Sequence, residues 1–384
     1  MTYKIFDENA YITGFSAKVI SCEKNDKNYV AFLDRTAFFP EEGGQCCDKG
    51  TINGIEVLHV EIKDNVIFHY LDKAIDVGTE VVGEIDWNVR FRNMQNHTAE
   101  HIVSGLVHSI YGFENVGFHL GDFEVTADYD HILTREDLDK IELMANKAVF
   151  ENVEIKTWYP EKEELEKISY RSKMEINENL RLVEIKGYDI CACCAPHVKS
   201  SGEIGLIRLV SAENLRGGSR VRILCSLDAL SDYSQKSRQA LAISNLLCAK
   251  QNEIDSAVLR LKEENDAIKL KNAELCKSFA TIKANLVEET DGNVVLEENE
   301  LDFDYVRIII NECKEKCNVI CVVNGDDEKG YRYIIGSNKV PLREKAKDIN
   351  LALNGRGGGT DEMVQGTFNV SLKEINGYFK TDKI

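Results

Sequence analysis

The sequence predicts a multidomain α+β chain. An N-terminal β-barrel spans residues 1–90, a mixed α+β domain 91–227, a long coiled-coil helical arm 228–285 and a C-terminal α/β domain 286–384. Three observations carry that division. Short β-branched and aromatic runs punctuated by Gly, Asn and Asp fill the first part of the chain. Two histidines four residues apart sit in an apolar stretch of helical period near residue 100. Further on, Leu247, Ile254, Leu261, Ile268, Leu275 and Ile282 recur every seven residues without a miss.

The barrel rests on Phe15–Glu23, Tyr29–Asp34, Ile55–Ile62 and Val66–Leu71, whose lengths and flanking turn residues suit strands of a small barrel or sandwich. In "NHTAEHIVSGLVHSIYG" (96–112), Ile102, Leu106 and Ile110 share one helical face, and Gly112 suits a C-cap. A strand-like "GFHLGDFEVTAD" (117–128), a helix from Arg135 to Asn152 and a mixed stretch "LRLVEIKGYDICACCAPHV" (180–198) follow. Near Ala229 the heptad regime begins. Gln251, Val258, Asn265, Asn272 and Phe279 trail its first five apolar positions by four residues, so one seam is apolar and the other mixed. That pattern predicts a coiled coil with polar register-setting positions, pairing most simply with a second copy of the chain. The alternative is one amphipathic helix packed on its own domain. Beyond 286, "NVVLEE" (293–298), "YVRIIIN" (305–311), "VICVVNG" (319–325) and "YRYIIGS" (331–337) read as strands, followed by "NGRGGGTDEMVQGTF" (354–368).

Composition sets bounds. A chain of 384 residues, 43% hydrophobic and 29% charged, is long enough for several domains with real cores. No apolar run approaches the roughly 18 residues that span a bilayer, and residues 1–20 lack a secretory pattern. Twelve irregularly spaced cysteines predict a reducing cytoplasm over a disulfide framework. A net charge of −18 opposes nonspecific attraction to nucleic-acid phosphates, so DNA is not an expected partner and any RNA must be held by local patches and shape.

His97 and His101 project side by side from one helix, as two imidazoles must to bind one metal ion. Thr98-Ala99-Glu100 between them also makes H-x-x-E-H, the signature of inverted zinc proteases. Further ligands are offered by "CACCAPH", where Cys193 and His197 are again four apart and Cys191 and Cys194 compete. Pro196 puts this second pair on a loop or turn. The protease reading would take a glutamate such as Glu175 or Glu184 as third ligand. It leaves the Cys193–His197 pair without a role.

"LDRTAFFPEEGGQCCDKG" (33–50), "DWNVRFRNMQNHTAEHIVSG" (86–105), "GFHLG" (117–121) and "CACCAPHV" (191–198) occur in that order. Together they resemble the editing domain of alanyl-tRNA synthetases and its free-standing relatives, the alanyl-tRNA editing proteins. The arm and "NGRGGGTDEMVQGTF" resemble the C-terminal domain of those synthetases, so the long free-standing form is the expected match. With no aminoacylation domain ahead of the barrel, a trans-editing factor is expected. The resemblance implies one zinc ion per chain on His97, His101, Cys193 and His197, with Thr36 and Gln45 lining the pocket that takes the aminoacyl group. It also implies mischarged tRNA(Ala) as substrate, homodimerisation through the arm and C-terminal domain, and RNA contact by Gly355, Arg356, Gly357, Gly358 and Gly359. The family's C-G-G-T-H is here Cys193-Cys194-Ala195-Pro196-His197, and the proline usual after the triple glycine is Thr360. Both departures alter backbone contacts beside the motifs without touching the ligands.

The implied reaction is zinc-dependent hydrolysis of the ester joining serine, or glycine, to tRNA(Ala). The zinc would activate a water or orient the ester. A synthetase pocket rejects an added hydroxyl weakly, and a second hydrolytic site is the remedy. Thr36 is a candidate to recognise the seryl hydroxyl, with a strand pairing as its ordinary alternative. Gln45 follows Gly43-Gly44, where backbone approaches a ligand closely or merely turns. His119 is a candidate to orient substrate, and His108 reads as a surface residue. A non-catalytic RNA-binding protein with a closed structural zinc is the remaining alternative.

Overall fold

The computed structural model describes residues 1–122, 124–172 and 180–381. Its two compact units are Met1–Ala240 and Leu241–Ile384. Six antiparallel strands open the first: β1 (Gly14–Asn25), β2 (Asn28–Leu33), β3 (Gly50–Ile52), β4 (Ile55–Lys63), β5 (Val66–Leu71) and β6 (Glu80–Ile85). They pair in the order β1-β2-β5-β4-β3-β6, and β6 returns to β1 to close a barrel. The period-two pattern becomes inside and outside. In β5, Ile67, His69 and Leu71 are buried while Val66, Phe68 and Tyr70 are half-buried. Phe15, Phe38, Phe39, Ile52 and Val60 belong to the same core.

Helix α1 (Trp87–Tyr111) follows the barrel directly. The Asp86 side chain accepts from the backbone N–H groups of Asn88 and Val89, and Gly112 ends the helix in the left-handed region. Every residue from Asn93 to Val107 is buried, polar ones included. The sheets that follow carry β7 (Asn115–Leu120) and β8 (Val125–Tyr129), then β9 (Ile155–Trp158), β10 (Leu182–Ile185) and β11 (Asp189–Ala192), then β12 (Ile207–Leu215) and β13 (Gly218–Cys225). One sheet runs β12-β13-β8-β7 and another β9-β10-β11. Helix α2 (Arg135–Glu151) starts at a Thr134–Asp137 capping box and stops at left-handed Asn152. Ile102, Val103, Leu106, Leu120, Ile141, Val183 and Ile223 share the core these elements enclose.

One buried ion pair fastens α1 to the barrel loop. Arg90 and Asp48 are both fully buried and joined through the Arg90 Nε and Nη2 atoms. Arg90 also donates to the carbonyls of Ala10 at 2.8 Å and Ala37 at 2.6 Å, while Asp48 accepts from the Phe39 N–H at 2.6 Å. Every polar group of the pair is therefore answered, the condition under which a buried pair is tolerable.

Helix α3 (Ser226–Leu246) runs past the end of the first unit at Ala240, and α4 (Ile254–Asn285) lies in the second. The uninterrupted arm expected from the heptads is corrected here. Cys248 takes a left-handed backbone, Ser244 Oγ donates to the Ala249 carbonyl, and a short 3-10 turn at Gln251–Glu253 restarts the chain. Leu247 therefore lies outside α4. Leu261, Ile268, Leu275 and Ile282 stand exposed along α4, while Ala280 and Ala284 are buried near its end.

A five-stranded sheet completes the second unit, with β14 (Asn293–Glu297), β15 (Val319–Asp326), β16 (Gly330–Gly336), β17 (Arg356–Gly359) and β18 (Met363–Phe368) in the order β14-β15-β16-β18-β17. "YVRIIIN" is a second correction: it lies within helix α5 (Phe303–Cys313), not a strand. Val306, Ile309, Ile310 and Cys313 are buried at helical spacing, and this face decides over the β-branched composition. In β15, Ile320 and Val322 pack with α4 and α5. Val319, Cys321 and Val323 pack with α6 (Leu342–Ala352) and α7 (Leu372–Lys380).

Removing one member of the Arg90–Asp48 pair strands the other charge in the core. Arg90→Met or Asp48→Asn is expected to lower unfolding stability of the first unit by about 3–5 kcal/mol, measured by urea denaturation. A loss within about 0.5 kcal/mol would show that the pair is not what fixes α1 to the barrel.

Candidate metal centre

Helix α1 presents His97 and His101 one turn apart, and the loop after β11 presents Cys193 and His197. Their ligand atoms all lie within 4.8 Å of one another. Cys193 Sγ is 3.5 Å from His97 Nε2 and 3.4 Å from His197 Nε2. Tetrahedral coordination with metal–nitrogen bonds of about 2.05 Å and a metal–sulfur bond of about 2.3 Å sets such atoms roughly 3.4–3.6 Å apart. The donor set therefore has the spacing a metal ion requires.

The outer nitrogens make the same point. His97 Nδ1 meets Gln45 Oε1 at 2.7 Å, His101 Nδ1 meets Asp189 Oδ2 at 3.0 Å, and His197 Nδ1 meets Thr98 Oγ1 at 3.0 Å. The Thr98 hydroxyl donates to the Met94 carbonyl at 2.7 Å, so toward His197 it accepts. Three acceptors thus place a proton on all three Nδ1 atoms and leave Nε2 free to ligate. Arg171 grips both oxygens of Asp189 at 2.8 Å each. Burial would raise the Asp189 carboxyl, but the His101 and Arg171 hydrogen bonds outweigh it and hold it below the usual range. Burial would likewise raise the Cys193 thiol, yet the surrounding imidazoles hold it well below an ordinary cysteine. Burial pushes His197 down to about 3. For His101, burial is outweighed by neighbouring Cys191 and the Asp189 hydrogen bond, which hold it well above an ordinary imidazole, so a metal would displace a proton there. Thiolate and neutral imidazole are the forms that bind metal.

Two small details bring these groups together. Gly105 lets β11 pack against α1, since a Cβ there would lie 2.4 Å from the Tyr188 carbonyl oxygen and 2.9 Å from Asp189 Cβ. Arg181 donates to the carbonyls of Cys193 and Ala195 at 3.0 and 2.8 Å and so shapes the ligand loop. Asp189, Arg171, Thr98 and Arg181 were not singled out in the sequence. Asp189, four residues ahead of Cys193, is the one a search for a carboxylate behind a ligating histidine could have found.

Gln45 lies at the centre, buried, with its Nε2 donor unpartnered. Thr36 is buried in the barrel, where its hydroxyl meets His69 Nε2 at 2.9 Å and accepts from the Phe38 N–H at 3.1 Å. Burial pushes His69 down to about 4, so it is neutral. His119 is exposed on β7, and exposed His108 pairs with Glu114 at 2.9 Å. A second group, His101, Asp189 and Cys191, also has metal-binding spacing, but Arg171 already engages both Asp189 oxygens. Glu100 accepts from Ser104 and Asn115 inside the core, each at 2.6 Å. Glu175 lies outside the described residues, and Glu184 joins neither metal-capable group found among them.

With this geometry in view, similarity to known proteins can be placed. The family "tRNA synthetases class II (A)" matches residues 2–89, and "Threonyl and Alanyl tRNA synthetase second additional domain" matches residues 180–223. The alanyl-tRNA editing protein Aarsd1-B of Xenopus laevis is 26% identical over 381 residues, covering 94% of this chain and 92% of that protein. The chain is a relative of the alanyl-tRNA editing proteins. It is also 32% identical to the alanine–tRNA ligase of Staphylothermus marinus and 27% identical to that of Ignicoccus hospitalis. These alignments cover 94% and 93% of this chain, which spans only 42% and 40% of the ligases. The C-Ala domain from Aquifex aeolicus alanyl-tRNA synthetase matches 25% of this chain and 96% of its own, at 21% identity and a TM-score of 0.21.

Metal analysis of alanine variants checks the ligand set. Cys193→Ala and His101→Ala are expected to lose the metal, while Cys191→Ala and Cys194→Ala retain it. Full metal in Cys193→Ala together with loss in Cys191→Ala would move the thiolate to the second group.

Proposed function

We propose that this chain is a hydrolase that deacylates mischarged tRNA(Ala), with serine or glycine as the misattached amino acid. The observation that carries the reading is the His97–His101–Cys193–His197 set with all three outer imidazole nitrogens already committed. It stands in a chain similar to an alanyl-tRNA editing protein over nearly its whole length. Zinc is the metal this three-nitrogen, one-sulfur set suits best, and when bound it supplies Lewis-acid polarisation of the ester or a water of lowered pKa. The chain's own residues do the rest. Gln45 orients His97, Asp189 with Arg171 orients His101, and Thr98 orients His197. Thr36 donates to neutral His69 and accepts from Phe38, which leaves one lone pair to accept from a seryl hydroxyl.

Four protein ligands are also the pattern of a structural zinc. Catalysis is favoured because a small cavity lined by Phe6, Asp7, Arg181 and His197 reaches one of the four candidate ligands. The proposed capture of tRNA by the second unit centres on exposed Arg356 in the edge strand β17. The neighbouring glycines have a packing reason of their own. A Cβ on Gly357 would sit 2.5 Å from the Tyr333 hydroxyl and 2.3 Å from the Gln365 carbonyl oxygen. The exposed Leu/Ile seam of α4 is proposed to pair with a second copy. Light scattering that returns a monomer at micromolar concentration would remove that pairing.

The test is deacylation of serine-, glycine- and alanine-charged tRNA(Ala) by the full chain. Serine and glycine esters should be cleaved and the alanine ester spared. A truncation after Ala240, where the first compact unit ends, should still turn over at saturating substrate. Its KM should rise on the order of 10²-fold, because a tethered second contact is lost. No cleavage of either mischarged tRNA by zinc-loaded protein would leave the structural-zinc reading. An unchanged KM would show that the second unit does not capture tRNA.

A further inference from the structure

The short helical turn Ile5–Glu8, ahead of the barrel, carries Asp7 to a cavity that reaches His197, one of the four candidate ligands. The cavity measures about 90 Å³ and is lined by Phe6, Asp7, Tyr11, Arg181 and His197, among others. That is room for roughly three water molecules, or for one small aminoacyl group. Phe6 and His197 are buried, so the charged chemistry of the walls falls to a few side chains.

Asp7 is half-buried, and its carboxylate accepts from the Tyr159 hydroxyl at 2.9 Å. Among the described residues no lysine or arginine pairs with it. A half-buried carboxylate with a single hydroxyl partner has capacity for a cation. Arg181, in the same walls, is only 7% exposed. Its Nη1 is spent on the Cys193 and Ala195 carbonyls, while its Nε and Nη2 make no hydrogen bond among the described residues. Those remaining donors call for an oxygen. The other charged side chains at the cavity are turned to neighbours: Glu8 accepts from the Tyr3 hydroxyl, and Lys199 sits over the Tyr11 ring at 4.5 Å. An α-aminoacyl ester offers both complements on adjacent carbons, an ammonium on the α-carbon and an oxygen on the carbonyl.

We propose that this cavity receives the aminoacyl group and that Asp7 recognises its free α-ammonium. This rests on the hydrolase reading above and deepens it: the substrate class is esters of α-amino acids with a charged, unblocked amine, and α-hydroxy esters of the same shape are discriminated against. Asp7 acts by binding and positioning. Arg181 ties the cavity wall to the ligand loop, because the same guanidinium holds the Cys193 and Ala195 carbonyls.

The experiment compares seryl-tRNA(Ala) with the glycerate ester of tRNA(Ala), in which a hydroxyl replaces the α-ammonium, on zinc-loaded full-length protein. Each rate is taken relative to uncatalysed hydrolysis of the same ester. The native chain should favour the ammonium ester by about 10- to 100-fold in kcat/KM, the worth of a hydrogen bond to a charged group. Asp7→Asn keeps an acceptor for Tyr159 and loses the charge. It should shrink the preference to within about threefold, chiefly through KM for the seryl ester, with zinc content unchanged; Asp7→Glu should recover part of it. A native chain that treats both esters alike would overturn the inference. So would an Asp7→Asn variant that keeps the preference, whether or not both esters slow together. A native chain that cleaves neither would overturn the hydrolase reading itself, so the two failures are distinct.

Discussion

Three imidazoles and a thiolate can share a buried space in one arrangement only if something holds each ring by its far nitrogen. The three acceptors Gln45, Asp189 and Thr98 come from a barrel loop, a strand and the helix itself. Because those partners are far apart in sequence, the barrel, helix α1 and the small sheet around β11 must dock in one arrangement. The buried Arg90–Asp48 pair sets the first contact and Gly105 permits the second. Either would be an odd expense in a protein that needed only a stable core. Buried ionic pairs bring little net stability but penalise wrong packing when every group is satisfied, as here.

The chemistry proposed follows from that rigidity. A ligand ring that cannot rotate presents Nε2 at a fixed place, and second contacts of this kind govern metal affinity and reactivity together. A net charge of −18 makes bulk attraction of tRNA weak. In the proposed function, affinity would come from shape, a few local contacts and tethering of the second unit.

Much of the fold was legible in the sequence where local chemistry and tertiary packing agree. Val66–Leu71 and the start of α2 at Arg135 matched their strand and helix limits, and Gly112 caps α1 in the left-handed region as its type suggests. The two pairs that converge into a metal-capable group were visible because each pair is spaced four residues apart. What stayed hidden was non-local. "YVRIIIN" is β-branched enough to read as a strand, and only its packing with α4 and β15 exposes its helical period. The break at Cys248 leaves no trace in a heptad count that runs straight through it. The burial of Arg90, Asn93, Asn96, Thr98, Glu100 and Ser104 on α1 was equally hidden, because a polar residue announces its partner only when the partner is adjacent in space. Thr36 illustrates the limit for function: the motif singled it out, but its hydroxyl is engaged by His69, a residue nothing in the sequence linked to it.

The central claim is that the metal held by His97, His101, Cys193 and His197 serves hydrolysis of the misacylated ester. The most direct measurement is deacylation of serine-charged tRNA(Ala) by metal-stripped full-length protein, before and after one equivalent of zinc, with circular dichroism confirming that the fold survives stripping. The account predicts a folded protein with little activity that regains its rate at one zinc per chain. Full activity in the folded, metal-free protein, or no gain on restoring zinc to a protein active before stripping, would contradict it.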